Sequence, residues 1–310
     1  MHFFTLYCKF GRSNAAGLMG ETMPAVHTAT FRVRHYECDA YGHLNNANYA
    51  RYMEEAAFEA SAAVGYSQAR YQEIGTLWLA RETEIEYLLP LRYRDEVTIK
   101  TWVADFRRVR SRRLYEFYRD GRQVARASTD WVYLDAATLR PATIPPEMIA
   151  AFAPDGLPPA APRPPFPAQP PPPPGVYIQR RRVEWRDIDT AQHVNNAAYL
   201  NYIEDCGIQV ATAYGWPTSR SLAAGFAVVA RKHHIEYRQP AVLDDELELA
   251  TWVSGAKRAT ATRCYTIKRA RDGELVARAN TLWVWVDVRT MQPIRIPPQF
   301  AEDFAPNIVS

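Results

Sequence analysis

The residues best able to do chemistry lie in two short polar turns, each of which precedes a predicted helix. The first turn contains Asp39 and His43, and the second contains Asp189 and His193. A carboxylate held beside a helix N-terminus can act as a general base on water or attack a carbonyl carbon directly. The free N–H groups and positive dipole end of the helix can hold an oxygen that gains negative charge. This combination indicates hydrolysis of an ester or a thioester.

The two turns belong to an internal repeat that organises the chain. At an offset of 150, eight of the 16 positions from 39 to 54 are identical, whereas chance supplies roughly one. A two-residue insertion then changes the offset to 152, and the alignment continues as far as Ile144-Pro145-Pro146 on Ile296-Pro297-Pro298. The chain is therefore a tandem duplication of one domain.

A proline-rich segment separates the two copies. Twelve of the 23 prolines lie between Pro154 and Pro174, and such a segment favours extended polyproline II over a helix or a ladder. We predict an N-terminal extension over residues 1–28, a first domain over 29–152, a linker over 153–175 and a second domain over 176–305. Met19 or Met23 is an alternative start.

Each copy is predicted to contain one long helix and one antiparallel sheet, which makes the fold class α+β. Asn45 or Asn46 is a suitable N-cap of the first helix, and Gly65 suits its C-terminal cap. Helical spacing of apolar residues recurs in both copies, from Tyr49 to Ala63 and from Tyr199 to Ala213. The strands are predicted at 30–36, 83–88, 96–106, 112–119 and 123–135, and again at 176–185, 232–237, 246–254, 260–269 and 274–287.

Composition excludes several classes of protein. The 37 basic and 34 acidic side chains give a net charge of only +3, which argues against binding to a nucleic-acid backbone. No apolar run approaches the roughly 20 residues of a membrane span. The four cysteines have neither disulfide-framework nor zinc-ligand spacing. We therefore expect no metal, and a cytoplasmic protein with reduced thiols.

The first turn resembles the signature of a known enzyme family. The sequence Asp39-Ala-Tyr-Gly42-His43-Leu-Asn45-Asn46-Ala-Asn-Tyr49 is similar to that of hotdog-fold acyl-CoA thioesterases of the 4-hydroxybenzoyl-CoA thioesterase type. The second turn also resembles acyl-acyl carrier protein thioesterases, which are double hotdogs. It departs from both patterns, because Gln192 replaces the usual glycine and Ala191 stands where the carrier-protein enzymes have a catalytic Asn.

The resemblance implies two tandem hotdog domains that pair as an intramolecular pseudo-dimer, each with a long helix wrapped by a curved antiparallel sheet. It implies hydrolysis of acyl-CoA without a cofactor, with acyl carrier protein as an alternative partner and further association of chains into a homo-oligomer. It also implies catalytic roles for Asp39, His43, Asp189 and His193, carbonyl polarisation by the backbone N–H groups of Asn46 and Asn196, and substrate binding by Gly42, Asn45, Asn195, Tyr49 and Tyr199.

Several of these and other residues could have a structural role instead of a catalytic or binding role. An aspartate before a helix commonly forms an Asx turn, and either histidine could only pack the turn. Glu54 and Glu204 are interpreted as helix-surface or interface partners. Recurring tryptophans such as Trp131 and Trp283 are interpreted as core. A basic run that could contact CoA phosphates consists of Arg107, Arg108, Arg110, Arg112 and Arg113, with Lys257, Arg258 and Arg263 as counterparts in the second copy.

Two alternative functions remain at this stage. A hotdog hydratase or dehydratase would act on enoyl thioesters, but neither turn has the Asp-x-Asn-x-x-His order of those enzymes. A non-catalytic sensor would bind an acyl thioester without cleaving it. Retention of the aspartate and the Asn-Asn pair in both copies argues against this second alternative.

Overall fold

A computed structural model describes residues 24–309 of the chain. Most of the predicted N-terminal extension, including both alternative start residues, lies outside this range. Ten antiparallel strands form a single sheet in the order β1-β3-β4-β5-β2-β7-β10-β9-β8-β6. The first half contributes β1 (His27–Arg32), α1 (Asn46–Ala63), α2 (Gln68–Glu73), β2 (Thr76–Tyr87), β3 (Glu96–Arg107), β4 (Arg110–Arg119), β5 (Arg122–Asp135) and α3 (Pro146–Phe152).

The second half repeats the same order of elements, so the predicted α+β class is confirmed. Each half supplies five neighbouring strands, one long helix and two short helices. The elements are β6 (Tyr177–Arg182), α4 (Asn196–Ala213), α5 (Thr218–Ala223), β7 (Phe226–Tyr237), β8 (Glu246–Ala256), β9 (Thr260–Arg269), β10 (Leu275–Asp287) and α6 (Pro298–Asp303).

The long helices begin where the capping residues predict. The side chain of Asn45 accepts a hydrogen bond from the N–H of Ala47 at 3.0 Å, and Asn195 caps α4 in the same way at 2.9 Å. Gly65 follows the end of α1 with φ +90°, a conformation that glycine adopts without steric cost. Small residues of α1 are buried against the sheet, which lets helix and sheet approach closely: Ala47, Ala56, Ala57 and Ala60.

The two halves join through β2 and β7. These strands pair antiparallel, with Glu84 opposite His234 at the middle of the shared ladder, and α1 packs against α4 on one face of the sheet. Because the halves are related by an approximate two-fold rotation at this junction, the start of each long helix lies beside the long helix of the other half. The fold thus places each polar turn at the boundary between the halves.

Some predicted bounds are wrong. Strands β2 and β7 begin at Thr76 and Phe226, well before the predicted Thr83 and Lys232, because bulges after Ala80 and before Trp283 interrupt the regular alternation. The short helices α2, α3, α5 and α6 were not predicted. Six or seven residues are too few to show helical periodicity.

The proline-rich linker crosses the face of the sheet that does not contact the long helices. Its Phe166 is buried against the His234 ring, with centroids 4.7 Å apart. Its Arg163 forms ion pairs with Asp105 and with Asp130, the latter at 3.1 Å. The linker is therefore anchored to the sheet at several points along its length.

Candidate functional site

The first polar turn holds one oxygen of the Asp39 carboxylate. Oδ1 accepts hydrogen bonds from the N–H groups of Tyr41 at 2.8 Å and His43 at 3.0 Å. The Asp39 N–H donates to the His43 carbonyl at 2.8 Å. Across residues 24–309, the structure gives Oδ2 no hydrogen bond. The Asx turn is therefore present, and it leaves the second carboxylate oxygen of a half-buried aspartate available to a substrate.

The second turn is similar but less complete. Asp189 Oδ1 accepts a hydrogen bond from Ala191 N–H at 2.8 Å, and the Asp189 N–H donates to the His193 carbonyl at 3.0 Å. Gln192 has φ +61°, in the place where the first turn has Gly42 at φ +74°. A side chain at such a φ is strained by roughly 1–2 kcal/mol. The second turn thus keeps its shape without the glycine that suits it.

The backbone N–H groups of Asn46 and Asn196 stand at the start of α1 and α4. Within the described part of the chain, neither N–H has a hydrogen-bond acceptor. The first N–H groups of a helix have no acceptor within the helix itself. Each can therefore donate to a substrate carbonyl oxygen, as the resemblance implies, and the role stays a prediction.

Each turn also contacts the long helix of the other half. Asn45 Nδ2 donates to the two carboxylate oxygens of Glu204 on α4, at 3.1 and 3.0 Å. Reciprocally, Asn195 Nδ2 donates to Glu54 on α1 at 2.9 Å. The interpretation of both glutamates as interface partners agrees with these contacts. Sequence analysis gave no sign that each also lies close to an aspartate of the opposite half.

The surroundings of Glu204, Glu54 and His43 shift the pKa values of these side chains. Burial, together with the negative charge of Asp39, raises the pKa of Glu204 to about 7. Burial raises the pKa of Glu54 as well, and Asp189 adds to this effect. Burial lowers the pKa of His43 and outweighs the opposing effect of Asp39. A neutral His43 and a Glu204 that titrates near neutral pH therefore accompany Asp39.

Two residues predicted to bind substrate are buried in the core, and their contact with substrate stays a prediction. Tyr49 and Tyr199 are 2% and 3% exposed. Their rings pack against Tyr87 and Tyr237, with centroids 5.0 and 5.5 Å apart. The sequence could not show whether these tyrosines face the polar turn or the core. Both lie in the first helical turn of a long helix, where one face of the helix is buried and the other is not.

The basic run is divided between the two faces of the sheet. Arg112 lies on the linker side, 3.8 Å from Asp130, and donates to Ser128, so it is already paired within the protein. Arg113 and Arg263 point inward and are buried, so Arg263 is not the surface phosphate contact that the sequence suggested. The remaining arginines of the run in the two copies are exposed, and their contact with phosphate stays a prediction: Arg107, Arg108, Arg110 and Arg258.

A cavity of about 100 Å³ lies under α4 in the second half. Tyr41, from the first turn, stands at its edge, and the remaining lining comes from the second half. The cavity therefore combines the Asp39 turn of one half with the interior of the other. The sequence pointed to none of these residues as an acyl pocket, because Arg263 was interpreted as a phosphate contact, Trp283 as core, and the others were not singled out: Gly207, Trp216, Ser221, Val228, Arg263, Trp283, Trp285 and Phe300.

The equivalent region of the first half is filled by larger side chains. At the offset of 150, Tyr71 corresponds to Ser221 and Trp78 corresponds to Val228. Tyr71 Oη is within 3.0 Å of Ser61 Oγ and accepts a hydrogen bond from Trp78 Nε1 at 3.1 Å. In the first half, these hydrogen-bonded side chains occupy the region that corresponds to the cavity under α4. The two halves are therefore not equivalent.

Two further features concern ligands and membranes. Among residues 24–309, no group of three or more His, Cys, Asp or Glu side chains is arranged to hold a metal ion. No helix in that range is long and apolar enough to cross a membrane.

The fold and the paired turns define a double-hotdog protein with two candidate acyl-transfer sites. The profile of the Thioesterase-like superfamily matches the chain twice, over residues 33–152 and 183–304. The chain therefore belongs to the thioesterase-like superfamily, and the predictions of the family and of a thioester hydrolase are confirmed.

Individual relatives agree with this assignment. The Escherichia coli long-chain acyl-CoA thioesterase FadM is 29% identical over 124 residues, which cover 39% of this chain and 91% of FadM. The acyl-CoA thioester hydrolase YbgC of Escherichia coli is 28% identical over 123 residues, covering 40% of this chain and 91% of YbgC.

Two solved structures cover both halves of the chain. The 12:0-ACP thioesterase of Umbellularia californica superimposes with a TM-score of 0.68 at 22% identity, over 83% of this chain and 93% of that one. An acyl-ACP thioesterase of Bacteroides thetaiotaomicron has a TM-score of 0.62 at 18% identity, over 83% and 97% of the two chains. The predicted double-hotdog architecture is confirmed.

Proposed function

We propose that the chain hydrolyses acyl-CoA thioesters at one principal site, formed by Asp39, the N-terminus of α1 and Glu204 of α4. The observation that carries this proposal is the cavity under α4, which has Tyr41 of the Asp39 turn at its edge. An acyl group in that cavity has its thioester end directed toward the first turn. The filled counterpart in the first half gives Asp189 no comparable space.

In the proposed reaction, the thioester carbonyl oxygen accepts a hydrogen bond from the N–H of Asn46. The dipole of the 18-residue helix α1 adds to the stabilisation of the developing negative charge. The free oxygen of Asp39 then takes a proton from water, whose oxygen attacks the carbonyl carbon, or attacks that carbon itself. Direct attack expels the thiolate and leaves an anhydride between the acyl group and Asp39, which water then hydrolyses. Both routes therefore use the same carboxylate oxygen, consume one water and end in a free acid and a thiol.

Glu204 is proposed to supply the proton that the leaving thiolate takes up. A group whose pKa is about 7 exchanges its proton readily near neutral pH, which suits general acid catalysis. Its hydrogen bonds to Asn45 also tie the start of α1 to α4. Asn45 is therefore assigned a positioning role through the helix cap and Glu204.

Acyl-CoA is favoured over an acylated carrier protein for two reasons. The relatives FadM and YbgC are named as acyl-CoA enzymes. The second turn carries Ala191 where the carrier-protein enzymes have an Asn. We also propose a cytoplasmic location, supported by the free thiols of Cys206 and Cys264.

The test is thiol release from a panel of acyl-CoAs by the wild type, Asp39→Asn and Asp189→Asn. Loss of a general base or nucleophile typically costs about 10²–10⁴-fold in rate, and we expect this loss for Asp39→Asn. Asp189→Asn is the matched control and should retain most of the activity. Crotonyl-CoA, followed by absorbance, separates hydration from hydrolysis. Full activity of folded Asp39→Asn on every substrate would refute the proposal.

A further inference from the structure

The cavity under α4 contains a buried positive charge. Arg263, on β9, is 7% exposed and forms part of the cavity wall. Its Nη1 donates to Asn307 Oδ1 at 2.8 Å and to Thr251 Oγ1 at 3.5 Å. Over residues 24–309, no Asp or Glu oxygen lies within 4.0 Å of the guanidinium nitrogens. The guanidinium therefore has neutral partners only, and all of its recorded hydrogen bonds use a single nitrogen.

The other polar atoms of the wall are mainly donors. The indole Nε1 of Trp285 is buried and has no hydrogen-bond partner in the described chain, whereas the indole N–H of Trp283 lies near the Tyr265 hydroxyl. The lining includes no carboxylate side chain, and most of the remaining surface is apolar, as at Trp216 and Phe300. A buried charge without a counter-charge is costly, and so is a buried donor without an acceptor. An anion that accepts hydrogen bonds from this wall would offset both costs.

We propose that this cavity selects acyl groups that end in a carboxylate, so that the preferred substrates are monothioesters of short dicarboxylic acids. Arg263 binds the terminal carboxylate, and the aromatic wall packs on the methylene groups between it and the thioester. A guanidinium matches a carboxylate in charge and geometry. This inference rests on the proposed function, because it assigns the acyl specificity of the Asp39 site.

The volume of the cavity favours a short acyl group. A cavity of roughly 150 Å³ accepts one benzene ring, and the space under α4 is about 100 Å³. A few methylene groups and a carboxylate match this size. A long unbranched chain does not, and its apolar end would also leave Arg263 without an anionic partner.

The first half provides a matched control residue. Arg113 occupies the corresponding position on β4, is 5% exposed and donates to Thr101 Oγ1 at 3.4 Å. Its guanidinium lies over the Phe152 ring, 5.6 Å from the centroid. The region around it is occupied by the bonded Tyr71 and Trp78 side chains. Substitution of Arg113 therefore removes an equally buried arginine that does not face the cavity under α4.

The experiment compares kcat/KM for pairs of acyl-CoAs of equal length: succinyl with butyryl, glutaryl with pentanoyl, and adipyl with hexanoyl. The wild type is expected to prefer the dicarboxylic member of at least one pair. Arg263→Met should lower the dicarboxylic-to-monocarboxylic ratio by about tenfold or more, since hydrogen bonds to charged groups contribute at that scale. Arg113→Met should leave the ratio at the wild-type value. Arg263→Lys, which keeps the charge, should give an intermediate ratio.

A second measurement needs no variant. Free glutarate should inhibit wild-type hydrolysis of butyryl-CoA more strongly than free pentanoate does. The inference is overturned if the wild type shows no dicarboxylic preference in any pair and glutarate and pentanoate inhibit equally. It is also overturned if Arg263→Met lowers both members of each pair by the same factor. In those cases, loss of butyryl-CoA hydrolysis in Asp39→Asn still upholds the proposed function. A wild type that cleaves neither of these short series but cleaves longer acyl-CoAs overturns the inference alone, whereas a wild type that cleaves no acyl-CoA refutes the proposed function as well.

Discussion

The side-chain amide of Asn45, which caps the helix of the first half, donates to the carboxylate of Glu204 in the helix of the second half. The Nδ2–Oε distances are 3.1 and 3.0 Å. Asn45 therefore caps the start of α1 and also binds α4. The site that contains Asp39 and Glu204 forms only when both halves are docked. The first half alone would lack the Glu204 carboxylate and the cavity under α4, whereas the second half alone would lack Asp39 and Asn45.

Replacement of Glu204 by Gln should remove a pH dependence of stability. The pKa of Glu204 is raised from 4.5 to about 7 in the folded protein, so its proton is bound more tightly when folded than when unfolded. Its contribution to stability is therefore fully present below about pH 4.5 and is lost as the pH rises to about 7. At about 1.4 kcal/mol per pKa unit, the loss amounts to at most about 3.5 kcal/mol.

Urea unfolding at about pH 5 and about pH 8 measures this difference. Between those pH values the wild type should lose more stability than Glu204→Gln. Glu248→Gln removes a partly exposed carboxylate of β8, which pairs with Arg180 on the edge strand β6. It serves as a control for the change in net charge and should behave like the wild type. Equal losses in the wild type and Glu204→Gln would contradict the prediction.

The sequence alone predicted the parts of the site that depend on neighbouring residues. The Asx turn of Asp39 and the capping role of Asn45 follow from residue type and position. The internal repeat then predicted the same roles for Asp189 and Asn195 in the second half. The contact between Asn45 and Glu204 spans 159 residues and depends on how the two halves dock, which no local pattern encodes.

The sequence did not show that Arg113 and its counterpart Arg263 point inward, for a different reason. Alternate residues of a strand face opposite sides of the sheet, and a shift of one residue exchanges the two faces. On β4 the inward residues Ser111 and Arg113 are polar, and the outward neighbour Arg112 is basic as well. No alternation of apolar and polar residues therefore showed which arginines of the run were buried.

Filling the cavity under α4 should reduce hydrolysis of acyl-CoA. Ser221→Tyr introduces the side chain that the first half carries at the corresponding position, Tyr71, where it closes the equivalent space. We expect kcat/KM to fall by about tenfold or more for every substrate whose acyl group enters the cavity, since a single misfitting group in a pocket has effects of that size. Thiol-release assays measure the change, with thermal unfolding to confirm the fold.

The reverse exchange in the first half is the control for this prediction. Tyr71→Ser removes a half-buried ring that is bonded to Ser61 and Trp78, so it should destabilise the protein by less than the roughly 3–5 kcal/mol lost with a fully buried aromatic ring. It leaves the Asp39 turn and the cavity of the second half unchanged. Retained activity in Tyr71→Ser beside lost activity in Ser221→Tyr would confirm that one cavity serves catalysis. The opposite pattern would place the working acyl site in the first half.

Gly42→Ala should destabilise the protein by about 1 kcal/mol through backbone strain alone. Gly42 has φ +74°, and a Cβ built there meets no atom within 4 Å, so steric overlap makes no contribution. A left-handed conformation disfavours alanine by about this amount. Gly255→Ala is the control, because its Cβ is equally free and its φ lies outside the left-handed region. Denaturant midpoints that shift equally in both variants would show that φ at Gly42 is not the cause.

The linker makes a buried ion-pair network whose removal should be costly. The side chains of Arg163, Asp105 and Asp130 are 12%, 8% and 15% exposed. Arg163→Met leaves two buried carboxylates without this partner, and breaking one side of a buried pair typically costs about 3–5 kcal/mol. Arg180→Met breaks a comparable pair with Glu248 in which the arginine is 71% exposed, and exposed pairs contribute at most about 1 kcal/mol. Calorimetric unfolding of both variants should therefore show a much larger loss for Arg163→Met. A loss as small as that of Arg180→Met would mean that the linker lies on the sheet without stabilising it.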